Sequence, residues 1–252
     1  MGYKHLKNKC AGCGRSDIKM NEEHVFPKWL IHRTNTHKTK ISWFGENRIN
    51  ALSATLPLCV DCNRDFGSEL ENPVSKIFTD LENSRGISEN EAEILIRWLW
   101  KLDGLFWVAS NPDGEYSPVY TLRQRVLKPI DTVRQQLILA ISLIDSIDQS
   151  FGDLPLGLDS HCNINAIFVA GVFSKIAIMV SQEVFENFIP KNYSIFRLNE
   201  TRNALSDSKL FFPKIGFKDD VEAVGISVNV GSELSYAHDL LAERTVKLKK
   251  QQ

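Results

Sequence analysis

The sequence has no long apolar run. Its two longest, around Ile94–Trp100 and Ile164–Val180, are broken by Arg97 and Lys175. Neither reaches the roughly 18 uncharged residues that a membrane span needs. The first residues are polar and lack the apolar segment of a secretory signal, so a soluble, cytoplasmic protein with no membrane partner is expected. There is no internal repeat and no low-complexity tract, which excludes a solenoid or a disordered linker protein. Only five cysteines occur in 252 residues, too few for a disulfide scaffold. In a reducing compartment, paired cysteines point to a metal before they point to a disulfide. A surplus of either charge is also lacking: 30 Lys or Arg against 31 Asp or Glu leave a net of −1, so the whole chain carries no general attraction for nucleic acid. The balance of 43% hydrophobic and 24% charged residues is that of a globular chain able to bury a core. The length fits one large domain or two small ones. Composition says nothing of oligomeric state.

What charge there is lies unevenly. Residues 1–50 hold ten Lys or Arg and four acids, a surplus of +6 over a remainder that carries −7. A basic first part on an acidic body is the asymmetry expected if one part meets phosphate. Residues 1–75 are also rich in Cys, His, Asn and Gly, and they need a staple to form a core. Residues 73–87 read as a polar connection. The "SENE" at Ser88–Glu91 reads as a capping box opening a largely apolar, buried helix through Leu105. Asn111-Pro112-Asp113-Gly114 reads as a turn, Asp131–Ser150 as a second helix, and Gly152–Asp159 as a loop. Residues 164–181 fit two short strands or one buried helix. Val221–Val230 alternates like a strand, and Leu234–Gln252 reads as a terminal helix. The expected class is α+β: a small N-terminal metal finger (1–75) followed by a mixed α/β domain of unknown type (76–252).

Four of the five cysteines form two C-x-x-C pairs, Cys10/Cys13 and Cys59/Cys62. Two intervening residues let both sulfurs of a knuckle face one ion, and four thiolates at about 2.3 Å make a closed tetrahedral zinc site. Gly12 and Gly14 flank Cys13 and permit the tight backbone. The separation between the pairs is longer than in a zinc ribbon, so something is inserted. Cys162 stands alone and reads as a small core residue.

The insertion carries "NEEHVFPKWL", Asn21–Leu30, and the second knuckle runs straight into Asn63. If the cysteines meet at one zinc, the strand bearing Glu23 and His24 lies beside the helix opening at "NRDFGSELE". A carboxylate and an amide oxygen are hard ligands suited to Mg²⁺ or Mn²⁺. A neutral imidazole beside them is poised to take a proton from water near neutral pH. That residue set suits phosphodiester hydrolysis. Glu69 and Glu71 come next on the same helix as further candidates for the metal or its water. Lys28, Arg33, Lys38 and Lys40 are candidates for backbone phosphate contacts. Trp29 reads as packing or as a base-stacking ring, and His32 and His37 as surface or phosphate-contacting residues.

The succession C-x-x-C, E-H-x-x-P, C-x-x-C-N resembles the HNH (His-Me finger, ββα-metal) nucleases in their zinc-bound form. The likeness covers about residues 8–72. It implies that His24 is the general base, that Glu23 and Asn63 hold Mg²⁺ or Mn²⁺, and that Cys10, Cys13, Cys59 and Cys62 hold a structural zinc. It further implies an endonuclease acting on DNA, of a layout found in mobile elements, restriction or antiviral defence, with an ATPase or sensor protein as a partner. The chain departs from the family at the middle Asn, which orients the loop and the histidine. Ala54 stands at that place, with Asn50 and Asn47 as substitutes. Two other readings fit the same residues: a zinc-finger binding module without catalysis, and a toxin-type nuclease acting on RNA.

Overall fold

The computed structural model describes residues 9–38, 40–43, 47–111, 120–131, 134–147, 157–160, 168–199 and 209–233. Residues 112–114 of the expected turn, 152–156 of the expected loop, Cys162 and the terminal helix lie outside them, while residues 157–159 of that loop form part of a strand.

Strand β1 (Met20–His24) pairs antiparallel with β4 (Thr55–Cys59), placing His24 opposite Thr55 and Glu23 opposite Leu56. Between them lie a short helix α1 (Lys28–Arg33), a hairpin of β2 (Lys40–Trp43) and β3 (Asn47–Asn50), and a single turn at Ala51–Ser53. Cys59, the last residue of β4, accepts a hydrogen bond at its sulfur from the Cys62 N–H. The chain passes there directly into helix α2 (Val60–Phe66). Two strands and a helix thus surround the cysteines, as expected.

Residues 73–87 are not a polar connection. Helix α2 continues through a π-helical turn, Gly67–Glu71, into α3 (Asn72–Glu82). Pro73 directly follows the π-helical turn and has no N–H to continue the hydrogen-bond ladder there. Val74, Ile77, Phe78 and Leu81 form the buried stripe, spaced as a helix requires. Helix α4 (Glu89–Ser110) comes next with the expected capping box, in which the Ser88 hydroxyl accepts from Glu91 N–H and the Glu91 carboxylate accepts from Ser88 N–H. A short helix α5 (Leu122–Leu127) then packs back against α4 and α2.

The remainder is a six-stranded sheet. Its order is β10 (Ile215–Asp219), β5 (Leu137–Ser146), β8 (Ile176–Gln182), β7 (Val169–Phe173) and β6 (Gly157–Ser160), with β9 (Ser194–Arg197) also pairing β5. The expected helix at Asp131–Ser150 is therefore strand β5. Leu137, Leu139, Ile141 and Leu143 face one core, and Ile138, Ala140 and Ile144 face another. A strand buried on both faces reads as continuous apolar sequence, so its period of two is hidden. Of the two options for 164–181, the strand pair β7–β8 is the one adopted. The expected strand at Val221–Val230 lies instead in a helix, α6, over 220–233. Its buried residues Asp220, Ala223, Ser227 and Val230 recur at helical spacing and cover the second face of the sheet.

The first face of the sheet, helices α3 and α4 and the cysteine region share one core. Trp29 of α1 meets Phe78 at 5.4 Å between ring centroids, Phe78 meets Trp98 at 5.5 Å, and Trp98 meets Phe173 of β7 at 5.4 Å. Trp29 is thus a packing residue. A buried ion network reinforces the junction: Arg134 pairs with both Glu89 and Glu93 of α4, and its Nε donates to the Asn199 carbonyl at 2.8 Å. No helix among the described residues is long and apolar enough to cross a membrane.

Candidate metal centre and acid–histidine site

The four sulfurs of Cys10, Cys13, Cys59 and Cys62 all lie within 4.8 Å of one another. Cys13 and Cys59 Sγ are 3.9 Å apart, close to the edge of a tetrahedron with metal–sulfur bonds of about 2.3 Å. The backbone is shaped for this. A Cβ on Gly12 would meet Cys62 Sγ at 3.0 Å, and Gly14 has φ +72°, so each position favours glycine for a separate reason. The N–H of Cys59 donates to Cys10 Sγ at 3.2 Å. Hydrogen bonding from the Cys62 side chain, aided by backbone N–H groups, pulls the Cys10 thiol down to about 4, while the same pairing pushes Cys62 up. Sulfurs this close cannot all ionise without a cation among them. The donor set and spacing fit zinc. Two guanidiniums offset the thiolate charge: Arg15 donates to Cys13 at 3.4 Å and to Cys59 at 3.6 Å, and Arg123 of α5 donates to Cys62 at 3.6 Å.

The clip sets the second site. Glu23 and His24 end β1, and α2 packs against both β1 and β4. Asn63 lies one turn into α2, half-buried, and Phe66 and Leu70 continue the buried stripe. The π-helical turn carries an extra residue that re-aims the side chains beyond it, a device common at functional sites. Glu71, at its end, bonds the ammonium of Lys101, and the same ammonium lies 3.6 Å from Glu23 Oε1. Glu69 is exposed.

Lys101 comes from α4 and is fully buried, with its ammonium over the Phe66 ring at 5.9 Å. It lies outside the E-H and C-x-x-C-N motifs. The signal in the sequence was a lysine inside "WLWKLDGLF", because a buried cation in an apolar helix must find carboxylates.

Burial holds the Glu23 carboxyl above its usual range, with Lys101 opposing and Glu71 adding to the rise. Burial also pulls His24 down, helped by Lys28, against opposition from Glu71 and from the neighbouring Leu52 backbone. Burial and Lys28 thus favour the neutral form, the one that accepts a proton. Leu52 belongs to the turn Ala51–Ser53, and Asn50 caps that turn: its Oδ1 accepts from Leu52 N–H at 2.8 Å and its Nδ2 donates to the His37 carbonyl at 3.3 Å. Asn47 lies at the start of β3. Ala54 is buried, and its carbonyl accepts from Val25 N–H at 2.8 Å.

Of the four basic residues considered for phosphate, Arg33 is already engaged. It pairs with Glu82 at 2.6 Å and donates to the Thr79 hydroxyl, tying α1 to α3. Lys28, Lys38 and Lys40 are exposed. The His32 and His37 rings stack at 4.7 Å between centroids.

Compared with protein-family models, curated proteins and solved structures, the chain matches none.

Proposed function

We propose that the chain is a metal-dependent endonuclease of the HNH kind that hydrolyses phosphodiester bonds in DNA. The observation that carries this reading is the pairing of a zinc-competent four-cysteine clip with a neutral-biased histidine and a carboxylate at the end of the strand it anchors. A zinc ribbon that only binds needs neither Glu23 nor His24.

In this reading Glu23 and Asn63, with Glu71 beside them, hold Mg²⁺ or Mn²⁺. The fit rests on donor chemistry and on Lys101. The carboxylates already hold one cation, the ammonium, which pairs with the Oε1 atom of each. A divalent ion bound there supplies positive charge to the phosphate oxygens and to the departing oxygen. His24 does the proton work. Its neutral ring takes a proton from the water that attacks phosphorus as the P–O3′ bond breaks. Lys28, exposed and close enough to lower His24, is the cation best placed to meet substrate phosphate. An ATPase or sensor partner, and a role in defence or in a mobile element, belong to this proposal.

The test is cleavage of plasmid DNA, single-stranded DNA and RNA by purified protein with Mg²⁺ or Mn²⁺, wild type against His24→Ala. Cleavage of DNA by the wild type and its loss in His24→Ala, with zinc content and melting retained, is the expected result. Cleavage that persists in His24→Ala refutes the base assignment. Cleavage of RNA alone turns the reading to a toxin nuclease, and inertness toward every nucleic acid turns it to a binding module.

A further inference from the structure

Lys101 is the charged residue that the proposed reaction does not use, and it is the most completely buried group at the site. Its neighbours are carboxylates from two different elements, Glu23 of β1 and Glu71 of the π-helical turn, and the face of Phe66. Side chains of Glu23 and Glu71 are 13% and 14% exposed, so a small ion can reach them while the ammonium behind them is sealed at 0%.

An ammonium in this position has an electrostatic consequence. With both carboxylates ionised, the cluster carries −1; without Lys101 it would carry −2. A site of −1 that takes a divalent ion is left at +1, facing the phosphodiester. A site of −2 would bind the ion more tightly and then present no net charge. Lys101 also repels the incoming ion directly.

We propose that Lys101 is a positioning residue that sets the charge of the metal site, weakening divalent-ion binding so that the loaded site stays positive toward its substrate. This rests on the nuclease reading for the substrate and on the geometry alone for the ion. It makes α4, distant in sequence from the E-H and C-x-x-C-N motifs, a working part of the site.

The experiment is a charge ladder read by Mn²⁺ binding to zinc-loaded, full-length protein, followed by electron paramagnetic resonance. Lys101→Met retains the buried stem and removes the charge. Glu71→Gln retains an oxygen for the ammonium and removes the opposite charge. Mn²⁺ should bind at least about tenfold more tightly to Lys101→Met and correspondingly more weakly to Glu71→Gln, since a unit charge within roughly 5 Å of a divalent ion is felt at that level even under water-like screening. The double variant restores −1 and should return near the wild-type affinity. Tighter binding combined with a raised KM for cleavage is a split that a packing defect does not produce, because a loosened site binds the ion less well. Weakened or unchanged Mn²⁺ binding in Lys101→Met, with melting and zinc content retained, overturns the proposal. If the ladder holds but no nucleic acid is cut, the charge assignment stands and the nuclease reading falls. If the wild type binds no Mn²⁺, both fall.

Discussion

Under the proposed nuclease activity, replacing Asn50 by alanine is expected to separate catalysis from stability. The side-chain hydrogen bonds of Asn50 go to neither the acid–histidine pair nor the cysteines. Its Oδ1 caps the turn Ala51–Ser53 through Leu52 N–H, its Nδ2 secures that turn to the His37 carbonyl, and the Leu52 backbone of that turn acts electrostatically on His24. The stability cost is that of one lost cap, about 1 kcal/mol, and less where the cap is exposed, as this one is. For a chain of this size that is a Tm drop of roughly 2–4 °C. The cost to cleavage is set by a different quantity. An imidazole whose neighbouring turn is loosened loses its near-attack geometry, and displacements of about 1 Å cost on the order of 100-fold in rate. Asn50→Ala is therefore expected to lower kcat by about 10- to 100-fold while melting changes little and zinc stays bound. Asn50→Asp keeps the Oδ1 acceptor for Leu52 N–H and should keep most of the activity. The assays are plasmid cleavage, thermal melting, and ¹⁵N NMR of the His24 ring, whose tautomer balance should shift in the alanine variant alone. Full cleavage by Asn50→Ala, or a His24 ring spectrum unchanged by it, refutes the assignment of Asn50 as the residue that stands in for the displaced Asn.

Two further outcomes are expected. Cys59→Ala should lower bound zinc from about one per chain to nearly none and unfold the first strand pair, because structural zinc contributes its binding energy to folding; metal analysis showing full zinc retention would sink the four-cysteine site. Lys28→Gln should raise the His24 pKa, since Lys28 is the second cause of its depression after burial, and should move the acid limb of the cleavage profile upward. The depressed His24 pKa also means that its share of stability is intact above the unfolded imidazole value near 6.5 and is lost as pH falls through the lower folded value. NMR titration of His24 at low and high salt checks both, and the difference between wild type and Lys28→Gln should shrink at high salt because Lys28 is exposed. An unmoved or lowered pKa in Lys28→Gln contradicts the electrostatic account.

Legibility of the fold depended on where each signal resides. The knuckles and the Ser88–Glu91 box are local: four residues carry each, and tertiary packing does not alter them. Strand β5 was illegible because burial on both faces removes the alternation that distinguishes strand from helix. Helix α6 was misread from Ile226, Val228 and Val230, whose alternation is real but whose neighbours are not. The local evidence lay just upstream: the Asp219 carboxylate caps Glu222 N–H at 2.8 Å, and Glu222 returns to Lys218 N–H at 2.8 Å. Helix α3 had its signal too, in Pro73 ahead of Val74, Ile77, Phe78 and Leu81, but polar residues between them masked the stripe. At the site, Glu23 and His24 were legible as a dipeptide. Lys101 was not, because its importance comes from the packing of α4 across the sequence gap, and only the rule that buried cations need partners pointed that way.

That packing bears on why the first 75 residues carry so little core of their own. Phe26, two residues past His24, meets Phe106 of α4 at 5.2 Å, and Trp29 meets Trp98. The four-cysteine clip gathers β1, β4 and α2, yet it leaves Val25, Phe26, Leu30, Phe66 and Leu70 needing a surface to bury against. Helix α4 supplies that surface along most of its length and presents Lys101 in the same stroke. The apolar contacts that hold the strand end in place and the charge that conditions its carboxylates therefore arrive on one element. A change that tilts α4 alters both together, so the body of the protein acts on the acid–histidine pair through packing.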